Sequence, residues 1–244
     1  MKKIILFTVF VLGYYTTYSQ IISLNEDKII TKSLTVTGWV FNVCDDTEYA
    51  QDDIKKFLKD RYDFKTKKDS KTSLVVPEVT IPKVSSKRGD LLIYIKHSEV
   101  GNMMGLAFVL GYDISLNSKD NEKEMGYFRE VAKEFMEYHY NSYYTNIIDD
   151  LDKELNSAKK DLLKKENDIS GMKKKERNLD KKLAKEDNEE KKKDLETDLE
   201  ELQTEIEEAY DLLPTLKEQV ETLTEKLDEK KELLLDYQNH IKVL

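Results

Sequence analysis

The chain has 244 residues, with 40 Lys and Arg against 49 Asp and Glu, and a formal net charge of −9. That acidity excludes a general nucleic-acid binder, which needs a basic face for phosphate, and the lone Cys44 excludes an intramolecular disulfide. A 36% charged fraction with only 8 Gly and 3 Pro suits long solvated helices, so one compact domain plus an extended helical element fits better than two cores.

Residues 1–19 read as a secretory signal. Lys2 and Lys3 make a basic start and residues 4–12 are apolar. Thr17 and Ser19 are small residues at −3 and −1 of a cut before Gln20. An uncleaved anchor is the competing reading, but the apolar stretch falls short of the roughly 20 residues that span a bilayer. No cysteine follows the cut, so a lipoprotein signal is not indicated, and no second apolar stretch is long enough to cross a membrane. The mature chain is expected to be exported, most simply to a bacterial periplasm, with extracellular or surface-associated placement as the alternative. Cys44 is then expected to be a buried thiol, because an exposed one would invite oxidation between molecules.

Residues 20–118 form the expected small α+β domain, with a mainly antiparallel sheet covered by helices on one face. Residues 34–43 (LTVTGWVFNV) are dense in β-branched and aromatic side chains and predict a strand. Asp45 or Asp46 can cap the helix that follows, which runs to about Tyr62 and buries Ile54, Phe57, Leu58 and Tyr62. Residues 74–81 are extended but carry Pro77, which places them at an edge or at a bulge. Residues 91–95 and 103–112 predict two strands joined as a hairpin around Gly101 and Asn102.

Residues 119–147 predict a connecting helix, capped within 118–121. Its stripe of Met125, Phe128, Ala132, Phe135 and His139 is expected to pack on the sheet. Aromatic rings then crowd at Tyr138, Tyr140, Tyr143 and Tyr144. The first reading of this collar is bracing of the neck, since Tyr packs well with its hydroxyl still wet. The functional reading is a surface for a sugar or a peptide.

Residues 148–244 carry apolar residues in alternating steps of three and four. The seam includes Leu151, Leu155, Leu162, Leu179 and Leu183, then Leu195, Leu199, Leu202, Leu216, Leu223 and Leu227. It breaks across residues 184–194, which are almost purely charged, and this predicts a turn near 185–193. Folding back there sets Leu183 against Leu195 and Met172 against Ile206. Charge argues for the same sense. Residues 173–185 include Lys173, Lys174, Lys175, Arg177, Lys181, Lys182 and Lys185, whereas residues 194–211 carry only acidic charge. An antiparallel coiled-coil hairpin lays these blocks side by side. Pro214 predicts a bend near 209–213. Lys165, Glu176 and Lys230 are polar seam positions that can fix register.

No reaction motif is present. His97, His139 and His240 lack ligand spacing, and no phosphate loop or nucleophile elbow occurs. His97 with Glu99 and Asp90 is the sole acid–base grouping, and it reads first as a polar hairpin rim. No catalytic residue, cofactor or metal is therefore expected. The expected role is a non-enzymatic cell-envelope scaffold that bridges or holds other envelope proteins, or pairs with a second copy of itself. The alternatives are a periplasmic holdase for outer-membrane proteins, and an enzyme built on the α+β domain.

Overall fold

The computed structural model describes residues 22–31, 34–44, 46–98, 101–111 and 114–244. The expected signal at 1–19, the alternative cap Asp45 and the rim residue Glu99 lie outside them. Among the described residues, seven strands form one antiparallel sheet in the order β1-β2-β6-β5-β4-β3, with β7 beside β6. The strands are β1 (Leu24–Ile30), β2 (Thr35–Val43), β3 (Lys67–Lys68), β4 (Ser73–Val79), β5 (Gly89–Ser98), β6 (Gly101–Gly111) and β7 (Ile114–Ser115). The helices are α1 (Thr47–Tyr62), α2 (Glu122–Leu183) and α3 (Glu189–Val243). The chain divides into two compact units: residues up to Ser142 with Tyr237–Leu244, and Tyr143–Asp236.

Three strands go beyond the sequence expectation. β1 (LNEDKII) is polar for most of its length because it is an edge strand held only by β2. β3 and β7 are two residues each, too short to leave a periodic signal. The β5–β6 hairpin forms as expected, with Ser98 paired to Gly101 and Ile93 to Leu106. Pro77 sits where the β4 register shifts between Val76 and Val79. The neighbouring Glu78 takes the left-handed conformation (φ 54°), and its N–H donates to Asp90 Oδ1 at 2.8 Å. The missing proline donor is thus absorbed by a bulge, as its chemistry requires.

One sheet face buries Phe41, Val43, Leu91, Ile93, Met104, Leu106 and Phe108. Both α1 and the start of α2 cover it: Phe41 meets Phe135 at 5.9 Å, Phe108 meets Phe128 at 6.4 Å, and Phe57 meets Phe135 at 5.5 Å. All five residues of the expected α2 stripe are fully buried. The indole N–H of Trp39 donates to Met125 O at 3.1 Å and ties β2 to α2. The opposite face carries a smaller cluster of Ile29, Val36, Ala107 and Val109. Gly38 is required between them, since a Cβ there would sit 2.1 Å from Leu106 O and 2.8 Å from Ile29 Cδ1.

The cap of α1 is Asp46, whose carboxylate accepts from the N–H groups of Glu48 and Tyr49. The helix ends at Asp63 in the left-handed conformation (φ 55°). Tyr62, expected inside, is half-buried because it lies in this last turn.

In the second unit the long helices pair as an antiparallel hairpin. Leu155, Ala158, Leu223 and Leu227 form one buried cluster, bordered by Ile148, Leu151 and Val220. This is the register that pairs Leu183 with Leu195. Every expected seam position from Ile148 to Leu234 is buried or half-buried, which is what a heptad stripe facing one partner gives. The chain leaves helical conformation only over 184–188, earlier than the span read from the sequence. The reason is Asn188, whose Oδ1 accepts from the N–H groups of Glu190 and Lys191 at 3.0 and 3.2 Å, so α3 starts at Glu189. Pro214, where a bend is expected, lies inside α3, which stays helical throughout. Among the described residues no helix is long and apolar enough to cross a membrane.

Candidate functional site

The hairpin surface is the first candidate. Its apolar residues are spent on the seam: Leu155, Leu223 and Leu227 are buried, and Leu151, Leu162, Leu179, Leu183, Leu195, Leu199, Leu202 and Leu216 are half-buried. What remains for solvent is mostly charge, with Leu163, Tyr210, Leu212 and Leu235 as the exposed apolar exceptions. The polar seam residue Glu176 accepts from Gln203 Nε2 at 3.1 Å across the arms. Lys230 instead pairs with Glu229 on its own helix at 2.9 Å. Beside Glu176, the Lys173 ammonium lies 4.7 Å from the centre of the Tyr210 ring, a cation–π contact between arms.

The basic and acidic blocks do lie side by side. Lys175 and Lys182 share a groove with Asp198, Glu201 and Glu205. Near the turn, Lys181, Lys182, Lys185 and Lys191 surround a second groove with Glu186 and Asp194. Among the described residues, however, no ion pair within 4.0 Å links residues 173–185 to residues 194–211. The blocks act through their summed field, which selects the antiparallel sense, while the leucine seam supplies cohesion.

The aromatic collar is the second candidate, and the structure separates its members. Tyr140, expected at a neck surface, is 1% exposed. Its hydroxyl donates to Asn42 O at 3.0 Å, and its ring stacks on Tyr237 at 4.3 Å and 10°. The surface reading fails for Tyr140 and the bracing reading holds for it, because the end of α3 returns to cover its ring. Tyr138 is half-buried and packs against Phe57 at 5.6 Å. It lines a groove with Asp60, Arg61, Glu134 and Glu137. Burial, then the Asp53 charge set against a lowering Lys56, holds its phenol above the ordinary 10.0. Tyr62 nearby is raised likewise, by burial and then by Glu134. Tyr143 and Tyr144, in the hairpin unit, pack edge to face at 5.2 Å.

A third arrangement was not foreseen from sequence. His139, fully buried, places Nδ1 2.8 Å from Asp53 Oδ2. Its Nε2 accepts from the backbone N–H of Cys44 at 3.1 Å. Nδ1 therefore carries the proton and donates to Asp53. The Cys44 carbonyl in turn accepts from Asn102 Nδ2 at 3.0 Å, and Asn102 Oδ1 meets His97 Nδ1 at 2.7 Å. This carboxylate–imidazole pair resembles a catalytic relay, but Nε2 is aimed at a main-chain amide. The Cys44 thiol lies 3.5 Å from Asp46 O. The arrangement pins α1, β2 and α2 together; it does not activate the sulfur. The sequence signal for it was a polar residue on each of two apolar helix faces, Asp53 beside Ile54 and His139 beside Phe135.

The grouping of His97 with Asp90 is not assembled. They sit at opposite ends of β5, about 23 Å apart at 3.3 Å per residue, and each is engaged locally. Among the described residues no three His, Cys, Asp or Glu side chains gather as a metal site. Comparisons with protein-family models, curated proteins and solved structures give no match.

Proposed function

We propose that this chain is an exported, non-enzymatic interaction protein of the bacterial cell envelope, which bridges or holds partner proteins with its helical hairpin. The observation that carries this reading is the hairpin itself. The arms of the second unit run about 60 and 70 Å at 1.5 Å per residue, pair along one seam, and present a largely polar exterior patterned in charge. Helices paired only with each other bury little, so their length is explained by the surface they present. The basic start, apolar run and small residues within 1–19 support export.

The test is cross-linking in intact cells with photoreactive residues at exposed hairpin positions, Lys160 and Glu225, and at Lys87 in the first unit. Adducts confined to the hairpin positions and found in the envelope fraction are expected. Adducts only from Lys87, or a chain confined to the cytoplasm, would overturn the reading.

A further inference from the structure

We propose that the partner of the hairpin is a second copy of it, packed face to face through the half nearest the turn. This rests on the hairpin being an interaction surface and names what it takes.

One face of the hairpin carries the argument. The Lys173–Tyr210 contact shows that residues immediately following seam positions on the two arms lie on a common side. On that side, α2 presents Leu163, Lys173 and Arg177, and α3 presents Glu200, Glu207 and Tyr210. All are exposed. Leu163 and Tyr210 are large apolar groups left 58% and 40% exposed, although the hairpin has buried or half-buried every apolar seam position. The charges on this side are basic on one arm and acidic on the other. The register of Leu183 with Leu195 puts Arg177 level with residues 200–207. No ion pair within 4.0 Å joins these blocks within the hairpin among the described residues, so their complementarity remains available to another surface.

A two-fold axis along the hairpin uses all of this at once. It sets the basic arm of one copy against the acidic arm of the other, twice, with both turns at the same end. Four helices then alternate in direction, and every neighbouring pair is antiparallel and opposite in charge. Such an interface is self-complementary and closed, so it stops at two chains. It also covers Leu199, a seam leucine on this side that two helices alone leave half-buried.

Sedimentation of the purified chain tests this. A two-chain species at low salt is expected, dissociating in 1 M NaCl, where the screening length falls to about 3 Å. K173E/R177E and E200K/E207K, each alone, are expected to sediment as single chains with unchanged helical circular dichroism. Mixed together they are expected to restore the two-chain species. A wild type that remains a single chain at low salt overturns the proposal, as does association that persists in both variants, or a mixture that stays single while both remain helical. If the variants lose helix, the salt dependence of the wild type decides. A single chain that still cross-links to another envelope protein ends this proposal and leaves the broader reading standing, whereas absence of every hairpin adduct ends both.

Discussion

Three elements meet at the imidazole of His139: α1 through Asp53, β2 through the Cys44 amide, and α2 through its own backbone. Substituting Phe keeps the stack on Phe135 at 5.6 Å but strands two buried polar groups. H139F is therefore expected to destabilise the first unit by about 1–3 kcal/mol for each group stranded, read as a lowered denaturant midpoint at unchanged helicity. The two raised phenols set a second expectation. Tyr62 and Tyr138 hold their protons more tightly folded than unfolded. Their contribution is complete below the ordinary 10.0 and is lost as pH rises through the higher folded values. Y62F/Y138F should accordingly retain more of its neutral-pH stability under alkaline conditions than the wild type. Equal alkaline losses in the two would refute this.

Among the helices, seam residues are not equivalent. Leu155 is 4% exposed within the buried cluster, whereas Leu183 is half-buried beside the turn. L155A is expected to cost about 2–5 kcal/mol, the range for a buried leucine, and L183A clearly less, in thermal unfolding followed by circular dichroism. Pro214 removes one helical donor inside α3, so P214A should stabilise the hairpin, by up to about 3 kcal/mol. The helical half of the molecule was legible because a heptad seam is written in one residue type over many turns, and leucine after leucine falls where it was expected. The sheet was legible in its central strands and in β4, whose proline announces the bulge. β2, β5 and β6 are apolar on the buried face, but β1 mixes Asn25, Glu26, Asp27 and Lys28 into an edge strand and so reads as loop. The Asp53–His139–Cys44 arrangement joins residues 86 and 95 positions apart. No local pattern encodes such a meeting, because it depends on how two helix faces are superposed on one sheet.

For the whole chain, the decisive feature is where the last turns of α3 pack. Tyr237–Leu244 belong to the same compact unit as Ser142 and the residues before it. Tyr237 lies on Tyr140, Gln238 Nε2 donates to Asn141 Oδ1 at 2.8 Å, and Ile241 is buried. The long helical excursion is thus an insertion whose two ends are clamped at a fixed spacing. Its length then becomes a free variable of the design: excising one seven-residue repeat from each arm, 158–164 and 214–220, conserves the a/d phase and the stacked tyrosine pair. The shortened chain should fold with the first unit intact and hydrodynamic dimensions reduced, whereas excising seven residues from one arm alone should misalign the clamp and unfold both. Evolution can therefore lengthen or trim the paired arms, two turns at a time, without altering the residues that form the first unit.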